Sequence, residues 1–382
     1  MIIKRNLQNL IQQTGKHYQA IFITGPRQSG KTTLAKISFP AYTYTNLENP
    51  ETRMVAKTDP QTFLQQSTSM IVDEIQRAPE LLSYIQTIVD QNRQRKYIIT
   101  GSQNILISHK ISQTLAGRVA IFNLLPFSLQ ELKGTKYESR KAQSQIIKGF
   151  YPRLYDRNLN PEEWYANYIQ TYLERDVRDI KNITNLTDFQ RFLKICAGRT
   201  AQILNISSLA GDVGVSVNTI KGWLAILEAT FVIHLLPPYY NNFSKRIIKA
   251  PKLFFYDTGV VCSLLGIKNS AQLQYHPLFG SIFETMCVSE LLKQNFNNNF
   301  HLDLYYWRDK VGNEIDVMYE KNSVLTVVEI KSSATIASDH LKNLNYFEKV
   351  AHRKINKEII YAAKNIDKYK GVTIEDWQSL KI

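Results

Sequence analysis

AIFITGPRQSGKTTL, residues 20–34, decides the fold. An apolar run leads into G-x-x-x-x-G-K-T and then into residues that suit a helix, the strand–loop–helix context a phosphate-binding loop needs. Through Gly25, Pro26, Arg27, Gln28, Ser29 and Gly30 the backbone can curl so that its N–H groups converge on phosphate oxygens. The N-terminus of the next helix adds its dipole. Lys31 is spaced to reach the β- and γ-phosphates of ATP and Thr32 to set its hydroxyl on Mg²⁺, with Thr33 closing the candidate ATP-contacting set. A plain glycine turn would need the two glycines and not the rest of the pattern.

Working outward, SMIVDEIQ (69–76) is a second apolar strand ending in Asp73 and Glu74. An acid at a strand tip can support Mg²⁺, and the acid after it can polarise an attacking water. YTYTNLE (42–48), between these motifs, reads as a further strand. That strand and the Glu beside the Asp point to water activation and away from a small-molecule kinase. KYIITGSQN (96–104) is another strand with a polar end, where Ser102 or Asn104 could contact the γ-phosphate or the water. LAGRVAIFNL (115–124) sets Arg118 just before an apolar strand.

Bulk properties agree with a globular chain. Its 382 residues suffice for two or three domains, 44% are hydrophobic and 21% charged. The formal net charge of +14 favours polyanionic partners, nucleic acid before a membrane surface. Part of the excess is clustered at Lys245, Arg246, Lys249 and Lys252. Cys196, Cys262 and Cys287 match no metal-ligand spacing and read as reduced thiols of a cytosolic protein. No apolar run reaches the length of a membrane span, and the N-terminus has no signal-peptide core, so a cytoplasmic protein without a membrane partner is expected.

In SSLAGDVGVSVNTIKGWLAILEATFVIHLL (207–236), Ala210, Gly214 and Ile220 fit helix-turn-helix spacing, and FVIHLL supplies strand material for a wing. Ser216, Asn218, Thr219 and Lys221 would open the second helix. One lysine near its start fits DNA reading and a scaffold role equally. Further on, GNEIDVMYE (312–320) and TVVEIKSS (326–333) are short strands, the first alternating Glu314 and Asp316 with Ile315 and Val317, the second setting Glu329 and Lys331 on one face.

With GPRQSGKTTL, IVDEIQ, IITGSQN, LAGR and LLPFSLQEL in front, and GFYPRLY, YLERDVRDI, KLFFYDTGV, GSIFETMCVSELL and YYWRD behind, the chain resembles prokaryotic AAA-type ATPases. In these, an ATPase core is followed by a C-terminal domain of unassigned function. The resemblance runs nearly end to end. It implies an α/β fold: an AAA-type P-loop ATPase domain over 1–135, a helical connector over 136–200, a winged-helix-like segment over 201–245 and a restriction-endonuclease-like domain over 246–382. It also implies that Arg118 lies where such proteins carry an arginine finger acting on a neighbour in a homo-oligomer; an ordinary surface arginine fits the position too.

The element order from 280 onward resembles the restriction-endonuclease-like core. In that pattern Asp316 and Glu329 would hold Mg²⁺ or Mn²⁺, Glu284 would add an outer ligand, and Lys331 would orient water. A retired nuclease fold, with Glu329 and Lys331 left as an ion pair in a docking module, fits the same residues. The expectation is an ATP-hydrolysing, Mg²⁺-using protein that engages nucleic acid, DNA more readily than RNA. A nucleotide-gated protein-interaction module is the rival.

Overall fold

The computed structural model describes residues 2–102, 115, 117–173, 185–239, 250–333, 338–362, 368–369 and 371–382. Asn104 and the basic residues Lys245, Arg246 and Lys249 lie outside this set. The chain forms two compact units, one built mainly from residues 1–127 and one from most of 128–382.

The first unit runs α1 (Leu7–His17), β1 (Ala20–Gly25), α2 (Lys31–Ser38), β2 (Thr43–Asn46), α3 (Pro50–Thr58), α4 (Pro60–Gln65), β3 (Ser69–Asp73), α5 (Leu81–Gln91), β4 (Lys96–Ser102) and β5 (Val119–Asn123). Its sheet has the order β2-β3-β4-β1-β5, and every pair is parallel. Period-two alternation assigns the faces. Ile21, Ile23, Ile71 and Ile98 pack with Leu7 and Ile11 of α1 and Leu34 of α2. Phe22, Met70, Val72 and Ile99 pack on the other side with Leu82, Ile85 and Val89 of α5. Helices on both faces explain why the strands read as continuous apolar runs. The strand expected at 42–48 is β2, at the sheet edge beyond β3. The strand lying between β1 and β3 is β4, so Ser102 ends beside the loop while Asp73 stands one strand further out.

The second unit opens with short helices, α6 (Leu129–Leu132), α7 (Ala142–Lys148), α8 (Pro152–Asp156) and α9 (Pro161–Tyr168). Then follow α10 (Leu186–Gly198), β6 (Gln202–Ile203), α11 (Ile206–Val213), α12 (Val217–Ala229), β7 (Ile233–Leu236) and β8 (Lys252–Phe255), with an antiparallel sheet in the order β6-β8-β7. Gly214 closes α11 at φ 84°, a left-handed position that suits glycine. Ser216 accepts the Thr219 N–H at 3.1 Å and so caps α12. Ile220 is buried, and Trp223 packs edge-on against Phe189 of α10. Because β8 completes this sheet, the segment extends past the boundary at 245 that the sequence suggests.

The unit continues with α13 (Thr258–Leu264), α14 (Ser270–Gln274), α15 (Phe279–Asn298), β9 (Leu304–Arg308), β10 (Glu314–Lys321), β11 (Val324–Lys331), α16 (Lys342–Ala351), β12 (Ile355–Tyr361), β13 (Lys368–Tyr369) and β14 (Val372–Asp376). Its mixed sheet has the order β13-β14-β12-β11-β10-β9. The register of β10 against β9 shifts between Ile315 and Met318. As a result Ile315 shares the core around Leu344 and Phe347 of α16 with Met318, and simple alternation with Val317 is broken. The three cysteines are free and buried. Among the described residues no helix is long and apolar enough to cross a membrane.

Candidate nucleotide site and the carboxylate cluster

The loop between β1 and α2 has the geometry its glycines permit. Gly25 sits at φ +149°, and a Cβ there would meet the Leu124 carbonyl oxygen at 2.1 Å. Gln28 and Gly30 are both left-handed, at φ 61° and 95°. The Lys31 ammonium lies across the loop, donating to the carbonyls of Gly25 at 3.0 Å and Pro26 at 2.7 Å. Arg5 braces the loop from behind, donating to the Ser29 carbonyl at 2.7 Å and the Leu125 carbonyl at 2.6 Å. The buried hydroxyls of Thr24 and Ser29 have no hydrogen-bond partner among the described residues. Unsatisfied donors, a lysine and a helix N-terminus gathered at one turn fit a polyphosphate.

At the tip of β3, Asp73 is buried and collects three hydroxyls. Thr32 donates at 2.9 Å and Tyr44 at 2.9 Å to Oδ2, and Thr100 donates to Oδ1. Burial and the neighbouring Asp73 carboxylate push the Tyr44 phenol up, so it stays a donor. Thr32 Oγ1 and the Asp73 carboxylate therefore meet as oxygen donors of the kind Mg²⁺ takes, and the set fits that ion.

Glu74 follows in a left-handed conformation, φ 60° and ψ 47°. Burial raises its pKa, against the opposing pull of Lys31. The Gln76 amide donates to Glu74 Oε2 and, at 3.1 Å, to Ser102 Oγ, tying the tips of β3 and β4 together. Arg5, Tyr44, Gln76 and Thr100 were not singled out from the sequence. Their roles come from distant strands meeting; the one local signal was Gln76, two residues after the acid pair.

Arg118 is part-exposed, and its Nε donates to Asp90 of α5 at 2.5 Å.

In the second unit the expected metal ligands meet a lysine. Lys252 of β8, buried, places its ammonium 3.0 Å from Glu284 Oε1 and 3.7 Å from Asp316 Oδ1, and it also pairs with Glu314. The reading of Lys252 as part of the clustered positive charge that favours a polyanion is thus corrected: its ammonium is taken up by carboxylates. Lys331 donates to Glu329 at 2.6 Å, as their shared face predicts, and Asp316 Oδ2 accepts the Ile330 N–H at 2.8 Å. Burial and the Asp316 charge raise both Glu284 and Glu329 to about 8. Among the described residues, no three His, Cys, Asp or Glu side chains are arranged to hold an ion. The set Glu284, Asp316 and Glu329 therefore does not fit a hard divalent cation, because an ammonium stands among the oxygens.

Residues 17–133 match the family described as an AAA domain, residues 139–271 a domain of unknown function (DUF8612), and residues 279–377 another (DUF4143). Two uncharacterized proteins, from Mycobacterium bovis and Mycobacterium tuberculosis, are each 28% identical over 344 residues, covering 88% of this chain and 75% of their own length. A Walker-type ATPase of Pyrococcus abyssi aligns at 14% identity with a TM-score of 0.40, over 69% of this chain and 96% of that one. With the loop, Asp73 and Glu74 in place inside the matched segment, residues 17–133 carry an AAA-type ATP-binding domain, and residues 279–377 a C-terminal domain of unknown function.

Proposed function

We propose that this protein hydrolyses ATP with Mg²⁺ and uses the cycle to control engagement of nucleic acid, DNA before RNA, by its second unit. The observation that carries the reading is the pairing of Thr32 with Asp73 beside Lys31, with a half-buried Glu74 that accepts a hydrogen bond from Gln76. Lys31 neutralises phosphate charge, and the loop N–H groups orient the chain of phosphates. Thr32 and Asp73 would hold Mg²⁺, which when bound supplies Lewis acidity at the phosphoryl oxygens. Glu74, made more basic by burial, accepts a proton from the attacking water, and Ser102 and Gln76 orient it. Arg118 is proposed to stabilise charge on a neighbouring chain's nucleotide after leaving Asp90.

The order helix, strand, helix, helix, strand, strand over 186–255 supports a winged-helix reading, with Ser216, Asn218 and Lys221 accessible at the start of α12. The test is phosphate release with and without single- and double-stranded DNA. Stimulation that fades with rising salt is expected. Glu74→Gln should keep ATP binding and slow turnover by about 10²–10⁴. Wild-type turnover in that variant would remove Glu74 from the role.

Lys252 favours a second reading for the end domain, a nuclease-like fold used for docking and not for cleavage. Turnover indifferent to every DNA form, at low salt, would favour that reading throughout.

A further inference from the structure

We propose that the ammonium of Lys252 is the resident cation of the Glu284–Glu314–Asp316 cluster, occupying in this chain the place where a divalent metal would have to sit. The charges support it. Glu284, Glu314, Asp316 and Glu329 influence one another or share cations, and facing them are Lys252, Lys331 and Arg308, the last 3.2 Å from Glu314. Fully ionised, the four carboxylates exceed the three cations by one charge, and the upward push on Glu284 and Glu329 leaves still less negative charge for a further cation. A divalent ion added to that set would leave an excess of positive charge in a buried place, which is costly. Without Lys252, and with all four acids ionised around a bound ion, the cluster is two positive charges short, the amount a divalent ion supplies.

Geometry agrees. Lys252 is 2% exposed, and its ammonium has carboxylate partners from two elements, α15 and β10. Its ring neighbour is Tyr306, 5.7 Å away. An ammonium so enclosed carries no free surface for a polyanion. It is held because burying it without these partners would be prohibitive. One Glu329 oxygen is buried with no hydrogen-bond partner among the described residues, and Lys331 already takes the other. The Glu329 carboxylate on β11 thus retains spare ligand capacity. Lys252 also ties the antiparallel hairpin β7–β8 to helix α15 and strand β10, a cross-link written into the chain where a metal would otherwise make one. The inference is independent of whether the nucleotide site turns over.

The experiment uses the full-length chain without nucleotide and titrates Mn²⁺ up to about 1 mM, a range that covers weak oxygen-ligand sites. Free Mn²⁺ is read by its electron paramagnetic resonance signal. Each protein is paired with its Asp316→Asn version, which subtracts any ion taken at Thr32 and Asp73. Wild type should show no Asp316-dependent uptake. Lys252→Ala should gain an Asp316-dependent site at least about tenfold tighter than anything in wild type. Lys252→Gln, one atom shorter and neutral but still polar at its end, carries the same expectation should the alanine variant not fold. Asp316-dependent Mn²⁺ uptake by wild type would overturn the proposal. So would a folded Lys252 variant that takes up no more Mn²⁺ than wild type.

Discussion

Gln76 shows how much of the nucleotide site depends on a single side chain that no motif marks. Its amide holds Glu74 on one side and Ser102 on the other. Burial raises the Glu74 pKa, and the Lys31 charge and the Gln76 hydrogen bond pull it back down. As the proposed base, Glu74 would act as a carboxylate, so turnover should be lost as pH falls through that pKa. Removing the amide leaves burial less opposed, and the folded-state pKa rises further. Gln76→Ala should therefore move the acidic limb of the kcat–pH profile to higher pH while ATP affinity stays near wild type. A limb that stays put, with kcat lowered evenly at all pH, would reduce Gln76 to packing. Lys31 gives the complementary expectation. Its contacts are to loop carbonyls and not to a core cluster, so Lys31→Ala should weaken ATP binding by at least about tenfold with little change in the circular dichroism melt.

At the scale of elements, the turn between α11 and α12 is the clearest case of local chemistry shaping a larger unit. Gly214 takes the left-handed position, and Ser216 satisfies an amide at the start of α12. A Cβ at Gly214 meets no atom within 4 Å, so the cost of Gly214→Ala is backbone strain alone, about 1–2 kcal/mol. Ser216→Ala should cost about 1 kcal/mol through the lost cap. Hydrogen exchange of the α12 amides is the measurement suited to both, because it reads local opening. Protection unchanged in both variants would mean that Ile220 and Trp223 hold the helix without help from the turn.

At the scale of the whole molecule, charge and assembly matter most. The net charge of +14 overstates what a polyanion meets, since Lys252 is enclosed by Glu284, Glu314 and Asp316. Arg118 rests on Asp90, a part-exposed ion pair of the kind that costs little to open. If it serves a neighbour's site, turnover per chain should rise with protein concentration. Mixing Arg118→Ala chains with Lys31→Ala chains should then recover some hydrolysis, because mixed interfaces pair an intact loop with an intact arginine. A rate independent of concentration from a strict monomer would return Arg118 to its ion pair with Asp90.

The phosphate loop, the acid pair Asp73–Glu74 and the strands carrying them were legible because their chemistry is local: glycines at fixed offsets, a lysine before a helix, alternation along β1 and β3. The helix–turn–helix spacing was legible for the same reason, with Ala210, Gly214 and Ile220 acting over a few residues. Strand order was not, since the interposition of β4 between β1 and β3 depends on crossovers that alternation does not encode. The β10 bulge escaped notice because a period of two carries no record of an extra residue. Lys252 was misjudged because a lysine in a basic run reads as available to a polyanion until a distant helix and strand bring carboxylates to it. The sequence by itself determined which residues could bind a nucleotide. Only the tertiary structure decided that Gln76 would join two strand tips and that a lysine would stand among the acids of the last domain, because both depend on contacts between residues far apart in the chain or on different strands.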